Sequence, residues 1–205
     1  MKDNIDKAWN YFLKGDIQSA SDLVVDDFQL ENCSDFSLLN LMLYLNLAEN
    51  PQESLAICQR YITLAKSQKD LENEHIGLHQ LAMVYRESGQ YELALETIEA
   101  EHAIIVAYFP EDQLKLSVNN YEQGFLRFKL KRYDDAIGYL KMSLEQAQKT
   151  DDMIAQACAY RGLGETYLAM KDNDLAKIHL TKALALFTEA DDILGAEEVK
   201  RLLQQ

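Results

Sequence analysis

Two histidines are the residues whose types and spacing come closest to a chemical site. His75 and His79 lie four positions apart in EHIGLHQ, so on a helix they could present two imidazoles to a metal ion. The glutamate of a His-Glu-x-x-His metalloprotease is absent, and no third ligand is evident beside them. We expect a groove-lining or exposed pair without a metal; a metal enzyme or hydrolase is the weakest alternative.

Other motifs for catalysis are also missing. The stretch GLGET at 162–166 superficially resembles a phosphate-binding loop, but it lacks a third glycine and follows no strand pattern. No Gly-x-Ser-x-Gly elbow and no recognisable set of Ser, His and Asp occurs, and the carboxylates are spread over the whole chain. The sequence therefore predicts a protein that is not an enzyme and carries no cofactor.

The composition favours a helical protein whose partners are not polyanions. Only 2 prolines and 8 glycines occur in 205 residues, which favours long helices joined by short turns. The formal net charge of −14 opposes binding to nucleic acid or to an anionic membrane. We interpret the one basic run, RFKLKR at 127–132, as a solvated helix end.

The cysteines and the N-terminal stretch bear on location. Cys33, Cys58 and Cys158 are odd in number and form no Cys-x-x-Cys pair, which fits a reducing compartment without disulfides or zinc. The stretch MKDNIDKAWNYFLKGD carries charges throughout and no apolar core, unlike a secretory signal. We expect a cytoplasmic protein.

A short pattern recurs along the chain: a turn, a small residue, then apolar residues at helical spacing. The small residue falls at Ala20, Ser54, Ala94, Ala136 and Ala176, at intervals of about 40 residues. A period of this length is typical of repeat proteins in which each unit is a pair of helices. Since one pair cannot bury its apolar face alone, the pairs are expected to stack.

The last copy of the pattern carries the clearest signature, at Tyr160, Leu163, Gly164, Tyr167, Ala176 and Leu180. This signature resembles the tetratricopeptide repeat, with Tyr where that family usually has Trp. The resemblance covers nearly the whole chain, although Gln123 and Arg127 depart from the pattern in the fourth copy. It implies an all-α fold: a right-handed α-α superhelix, or solenoid, of about five helix pairs plus a C-terminal capping helix.

The register of the resemblance divides the chain as follows. A single solenoid domain over 1–205 would contain repeats at about 1–34, 35–74, 75–116, 117–156 and 157–190, then a capping helix at 191–205. The long period resembles repeats of peptide-binding bacterial regulators of the Rap and PlcR type, and of the Leu-Gly-Asn-rich spindle adaptor. Such regulators usually carry an effector part before the repeats; here we expect any effector to be a separate chain.

Packing in such pairs depends on small residues at the helix contact. We expect Gly124 and Gly164 in first helices, and Ala136 and Ala176 in second helices, to let paired helices approach closely. Large apolar residues would fill the seam between them, for example Leu140. The capping helix would place one apolar side against the last repeat, formed by Ile193, Val199, Leu202 and Leu203.

In this family the first helices of the repeats line a concave groove. Carrying the register over implies a partner-binding groove at Asn40, His79, Met83, Arg86, Tyr121, Glu122, Phe125, Arg161 and Glu165. For the apolar residues in the same register we favour packing between repeats, namely for Leu39, Leu43, Phe128 and Leu168. No repeat has the Lys and Asn pair with which family members hold an acidic chaperone tail, so we expect a neutral, apolar or basic protein or peptide.

The leading hypothesis is therefore a non-catalytic cytoplasmic module that binds a protein or peptide in this groove. The alternative is a regulatory or sensory protein that responds to a short signalling peptide. Self-association is a further possibility, since HAIIVAYF at 102–109 continues a second helix with little polar interruption. For this stretch we favour burial under the following connection over a dimer face, and a homo-oligomer stays open.

Overall fold

The computed structural model describes residues 2–26, 28–47 and 50–204. Met1 and Gln205, the outer limits of the predicted domain, lie outside the described residues, as do Asp27, Ala48 and Glu49. The described residues form eleven α-helices and no strand, which confirms an all-α fold. The helices are α1 (Lys2–Leu13), α2 (Ile17–Asp22), α3 (Phe36–Asn46), α4 (Pro51–Gln68), α5 (Leu71–Glu87), α6 (Tyr91–Tyr108), α7 (Gln113–Lys129), α8 (Tyr133–Ala147), α9 (Met153–Ala169), α10 (Asn173–Glu189) and α11 (Ile193–Leu202).

The turns between helices have two recurring features. Aspartate caps many helix starts: Asp112 and Asp152, for example, accept hydrogen bonds from the backbone N–H three residues on, at 3.0 and 2.8 Å. After α4, α7 and α9 the chain turns through a left-handed lysine, with φ of 54°, 61° and 65° at Lys69, Lys131 and Lys171. These short turns make successive helices antiparallel neighbours.

The chain divides into two compact units, residues 1–90 and 91–205. In the first unit, α3 is apolar on all sides and forms the centre of the core, which is why Leu39 and Leu43 are fully buried. Ala8 on α1 and Ala20 on α2 are also fully buried. The second helix of that pair is short, because α2 ends at Asp22 and the chain continues in turns.

In the second unit, α7 pairs with α8 and α9 pairs with α10. A Cβ atom added at Gly124 would lie 2.6 Å from Cγ of Leu140, and one added at Gly164 would lie 2.6 Å from Cγ of Leu180. No side chain larger than hydrogen fits at either glycine without movement of these leucines. The close approach predicted at the glycines is confirmed, and Leu140 fills the seam as expected.

Leu140 also contacts the next repeat. A Cβ atom at Gly162, on α9, would lie 2.7 Å from Cδ2 of the same leucine. Leu140 therefore packs against α7 in its own repeat and against α9 in the following one. Its side chain is completely buried.

Helix α11 covers the end of α10, as predicted for a capping helix. Val199 is fully buried, and Leu202 and Leu203 pack against the core cluster that contains Phe187. The prediction for Ile193 was wrong, since 74% of its surface is exposed. The reason is position: Ile193 is the first helical residue, next to the Asp192 cap, and points away from the buried side that begins at Gly195.

The two residues that break the repeat pattern, Gln123 and Arg127, lie in a buried polar network between α6 and α7. Gln123 donates to Oδ1 of Asn119 at 2.9 Å, and Arg127 donates to Oε1 of Gln123 at 3.1 Å. Arg127 also pairs with Glu99 on α6 at 2.8 Å, and its guanidinium lies 3.9 Å from the ring centre of Tyr139. The interpretation of 127–132 as a solvated helix end was therefore wrong for Arg127.

The apolar stretch at 102–109 is only partly buried. Ile105 is fully buried in α6, whereas Val106 and Tyr108 are 50% and 61% exposed. Burial under the following connection was thus the wrong expectation for these two side chains. Whether the chain forms a homo-oligomer stays a prediction, as does the single domain. No helix in the described parts of the chain has the length and apolar character needed to cross a membrane.

Candidate functional site

In the first unit, the predicted groove residue Asn40 is already engaged. Its Oδ1 accepts a hydrogen bond of 2.5 Å from Nε2 of Gln80, so the side chains join α3 to α5. Gln80 is buried and Asn40 is half-buried. A partner that used the Asn40 carbonyl would have to compete with this contact.

The other predicted residues of the first unit lie on α5. His79, Met83 and Arg86 are half-buried, and Arg86 pairs with its neighbour Glu87 at 3.1 Å. His75 is buried and lies 3.5 Å from Glu72. Among the described residues, no group of three or more His, Cys, Asp or Glu side chains is placed to hold a metal ion. The metal-enzyme alternative thus has no ligand set in this part of the chain.

In the second unit, three parallel helices surround a cavity of about 480 Å³. Helices α7 and α9 are the first helices of successive repeats, and α11 is the capping helix. The cavity combines apolar walls with charges of both signs, and we call it the charged cavity. It is lined by Phe125, Phe128, Lys129, Glu165, Leu168, Ala169, Glu198 and Leu202.

Aromatic rings form one wall of the charged cavity. The ring centres of Phe125 and Phe128 are 6.4 Å apart on α7, and Tyr121 stacks on Phe125 one turn earlier at 6.2 Å. Nζ of Lys129 lies 5.0 Å from the ring centre of Phe125 and 5.8 Å from that of Phe128. At these distances the negative faces of the rings attract the ammonium group.

Arg161 joins the three helices beside the cavity. Its Nη2 donates a hydrogen bond of 2.8 Å to the hydroxyl oxygen of Tyr121 on α7, and its Nη1 pairs with Glu198 on α11. Only 18% of the Arg161 side chain is exposed. Burial raises the pKa of Tyr121, so the tyrosine stays a neutral hydrogen-bonding group at physiological pH. Sequence reasoning missed Glu198, because the capping helix had been given only a packing role.

Glu165 is one of the two acidic residues that line the charged cavity, with Glu198. Burial raises the pKa of its carboxyl group, an effect that the nearby positive charge of Arg161 opposes. Its neighbours in the lining are mostly apolar; of the two charged ones, Lys129 also opposes the rise in pKa and Glu198 adds to it. Glu122, predicted for the same groove, is buried.

Two residues expected to pack between repeats also border open space. Phe128 and Leu168 are half-buried and line the charged cavity, and Leu168 packs at the same time against the buried clusters that contain Leu180 and Leu163. The same expectation was right for Leu39 and Leu43, which are fully buried in the first unit. The difference arises because α3 is surrounded by apolar neighbours, whereas α7 and α9 each present one side to the cavity.

A second pocket, of about 250 Å³, lies between the N-terminal halves of α7 and α9. We call it the apolar pocket, because Leu114, Val118 and Ile154 form its rim, each with 38% of its surface exposed. Cys158 lines it with a half-buried thiol, whose pKa burial raises. The sequence patterns did not predict this pocket.

Most of α7 and all of α9, which contribute to both cavities, fall within a region that matches a known family. A family profile described as "Tetratricopeptide repeat" matches residues 115–189, and a second profile with the same description matches residues 77–100. Both matched regions carry tetratricopeptide repeats. Tyr121, Phe125, Arg161 and Glu165 all lie in the longer match, on the first helices of its two repeats. No curated protein matches the chain in sequence.

Several solved structures share the fold at low identity. BtubC (BKLC) from P. vanneervenii is 18% identical, with a TM-score of 0.67 over 98% of this chain and 87% of that chain. A STAND protein with a tetratricopeptide repeat sensor, PH0952 from Pyrococcus horikoshii, is 17% identical, with a TM-score of 0.76 over 98% of this chain and 32% of that chain. The apo form of RapI is 16% identical, with a TM-score of 0.74 over 96% of this chain and 56% of that chain.

These likenesses confirm the predicted fold class, an α-α superhelix of tetratricopeptide helix pairs. They also confirm the predicted resemblance to Rap-type repeats. A tetratricopeptide array is a protein–protein interaction module, and its fold is typically a scaffold without catalysis.

Proposed function

We propose that the second unit binds a segment of a partner protein in the charged cavity, without catalysis. The observation that carries this proposal is the open space between the first helices of two repeats and α11, lined by aromatic, apolar and charged side chains. Such a lining provides apolar surface for affinity and a few polar groups for orientation. The formal net charge of −14 favours a neutral, apolar or basic partner. We propose that the protein meets this partner in the cytoplasm.

Affinity purification with matched variants tests this proposal. Phe125→Ala combined with Phe128→Ala removes the aromatic wall, while Ile178→Ala removes an apolar side chain that is 51% exposed on α10, outside both cavities. We expect the native protein and the Ile178 variant to capture the same partner from the native cell, and the double variant to lose it. Circular dichroism checks that all three proteins are folded. Equal capture by all three would contradict the proposal.

A second candidate function is the sensing of a short peptide. The observation that favours it is the likeness over nearly the whole chain to RapI and to a STAND protein with a tetratricopeptide repeat sensor. Calorimetry with fractionated short peptides from spent medium, followed by hydrogen exchange of the complex, tests it. A sensor should bind one fraction and change protection in helices remote from the peptide. Absence of any heat of binding would contradict this function.

A further inference from the structure

The two cavities of the second unit differ in the chemistry that they offer. In the charged cavity, Glu165 supplies a half-buried carboxylate to the same lining as the rings of Phe125 and Phe128. Arg161, the cation nearest to it on α9, already bonds Tyr121 and Glu198. A carboxylate next to aromatic faces recognises a cation, because the carboxylate forms a charge-assisted hydrogen bond and the rings attract the same charge.

The chain itself shows that these rings accept a cation. Nζ of Lys129 lies within 6 Å of both ring centres, at 5.0 and 5.8 Å. Lys129 is exposed and reaches the rings from the last turn of α7, so its ammonium group can leave without disturbing the core. A basic side chain from a partner would take over this position over the rings and would in addition meet Glu165.

The apolar pocket provides a second binding position, for an apolar side chain of the same ligand. Its rim residues Leu114, Val118 and Ile154 are each more than one-third exposed, an exposure that costs free energy unless another apolar group covers them. Asp152 lies at the same pocket, where its carboxylate caps α9 through a hydrogen bond to the N–H of Ala155. The volume of about 250 Å³ suits one large aliphatic or aromatic side chain.

The distance between the two cavities follows from helix geometry. Val118 and Phe125 are seven residues apart on α7, and Cys158 and Glu165 are seven residues apart on α9. Seven residues of α-helix span about 10 Å along the axis. In a polyproline II segment, which has three residues per turn, side chains three positions apart point to the same side and lie about 9 Å apart along the axis.

We propose that the ligand is a protein segment in polyproline II conformation that carries a large apolar side chain and, three positions away, an arginine or lysine. The apolar side chain enters the apolar pocket, and the basic one enters the charged cavity to pair with Glu165. The segment lies along α7 and α9, over the joined side chains of Tyr121 and Arg161. This assignment rests on the proposed function of the second unit and adds the sequence motif that the two cavities recognise.

Lys129 has a defined part in this proposal. Because its ammonium group lies over the rings that the ligand's cation would use, it competes with the ligand for them. Removal of Lys129 therefore strengthens binding of a basic segment, whereas a residue that merely builds the groove would weaken binding when removed. Burial raises the pKa of the Glu165 carboxyl although the positive charges of Arg161 and Lys129 oppose the shift, so a further cation beside this carboxylate would favour its ionised form.

The test uses the full chain and a synthetic array of Ser/Gly decapeptides. Each peptide carries one Leu and one Arg at spacings of two, three or four, in both orders, and matched peptides carry Glu or citrulline in place of Arg. We expect the spacing of three to bind best, with affinity about tenfold above the citrulline peptide, since one charge-assisted contact is lost with the charge. Fluorescence anisotropy measures the affinity for the best peptide.

Variants identify the two cavities. Glu165→Gln should lower affinity for the Arg peptide about tenfold and leave the citrulline peptide unchanged. Val118→Ser should weaken both peptides, Lys129→Ala should strengthen the Arg peptide, and the control Ile178→Ser should change neither. Binding without preference for the basic residue or the spacing overturns this inference but leaves the proposed function intact, as does an array without any binding. Capture that is insensitive to the aromatic wall overturns the proposed function itself.

Discussion

Arg161 and Tyr121 are joined by a hydrogen bond of 2.8 Å that crosses from one repeat to the next. The same guanidinium pairs with Glu198 on α11, so one side chain connects three helices. We expect Arg161→Lys to lower the free energy of unfolding by about 2 kcal/mol, because a lysine ammonium cannot reproduce the two-directional fork. Urea denaturation measures the change.

Tyr121→Phe is the matched comparison for that substitution. It keeps the ring that stacks on Phe125 and removes only the hydroxyl acceptor, so the expected loss is about 1 kcal/mol. If Arg161→Lys left unfolding unchanged but abolished partner capture, Arg161 would be a binding residue rather than a structural one.

The helix-pair contact predicts opposite effects of the same substitution at two glycines. Gly124→Ala places a methyl group 2.6 Å from Leu140, and we expect overpacking to cost roughly 1–3 kcal/mol. Gly138→Ala adds a methyl group with no atom within 4 Å, in the middle of α8. It should stabilise the protein by about 0.5–1 kcal/mol through helix propensity. Denaturant midpoints measure both, and equal effects would refute the close approach.

The buried polar network predicts a large effect at Asn119. This side chain is fully buried and donates to the carbonyl of Ile98 and to Oε2 of Glu101, both at 3.0 Å. We expect Asn119→Ala to cost about 2–3 kcal/mol, because it removes both donors from buried acceptors. Asn10→Ala, at an exposed asparagine that donates to the carbonyl of Asp6, should change stability by no more than about 0.5 kcal/mol. Similar losses at both sites would argue against a cooperative network.

The raised pKa of the Glu165 carboxyl predicts that the Glu165→Gln variant gains stability in a pH-dependent way. Burial raises the pKa of this carboxyl group, so the ionised form is less favourable in the folded chain than in the unfolded chain. The cost grows as pH rises from the unfolded pKa through the folded one, and it persists at neutral pH. Glu165→Gln should therefore raise Tm at pH 7, and the difference should disappear below about pH 4, where the unfolded carboxyl is also protonated.

Glu197→Gln is the control of opposite sign. A hydrogen bond from Lys200 lowers the pKa of the Glu197 carboxyl, so its ionised form stabilises the fold at pH 7 and this contribution is lost as pH falls. The substitution should lower Tm slightly at neutral pH. Thermal scans between pH 3 and 7 compare the two variants. A fall in Tm for Glu165→Gln at pH 7 would contradict a net cost of burying the ionised Glu165 carboxylate.

The elements that sequence could predict are those set by local periodicity. Residues on one helix face recur at a fixed spacing, and a small residue in that register lets two helices approach closely. This spacing predicted the helix contact at Gly124, Ala136 and Leu140. The repeat of this spacing along the chain carried the resemblance to the tetratricopeptide repeat, and that resemblance implied the all-helical fold.

The charged cavity depends on contacts that local spacing does not encode. Arg161 and Glu198 lie on different helices, 37 positions apart, and either could have been a solvated surface charge. Gln123 and Arg127 show the same limit, since polar residues at apolar positions can be exposed or can satisfy one another inside the protein. Only the path of α6, α7 and α11 decides between these outcomes.

Leu140 gives the order of the second unit a consequence for its evolution and engineering. The Leu140 side chain fills the space beside both Gly124 and Gly162. Helix α8 must therefore fit the repeat that follows it as well as its own partner helix, α7. Repeats four and five can therefore be moved or duplicated together, whereas a foreign repeat inserted after Ala147 would need its own glycine facing that leucine. The chain repeats a similar sequence pattern, but we expect repeats four and five to be exchangeable only as a pair.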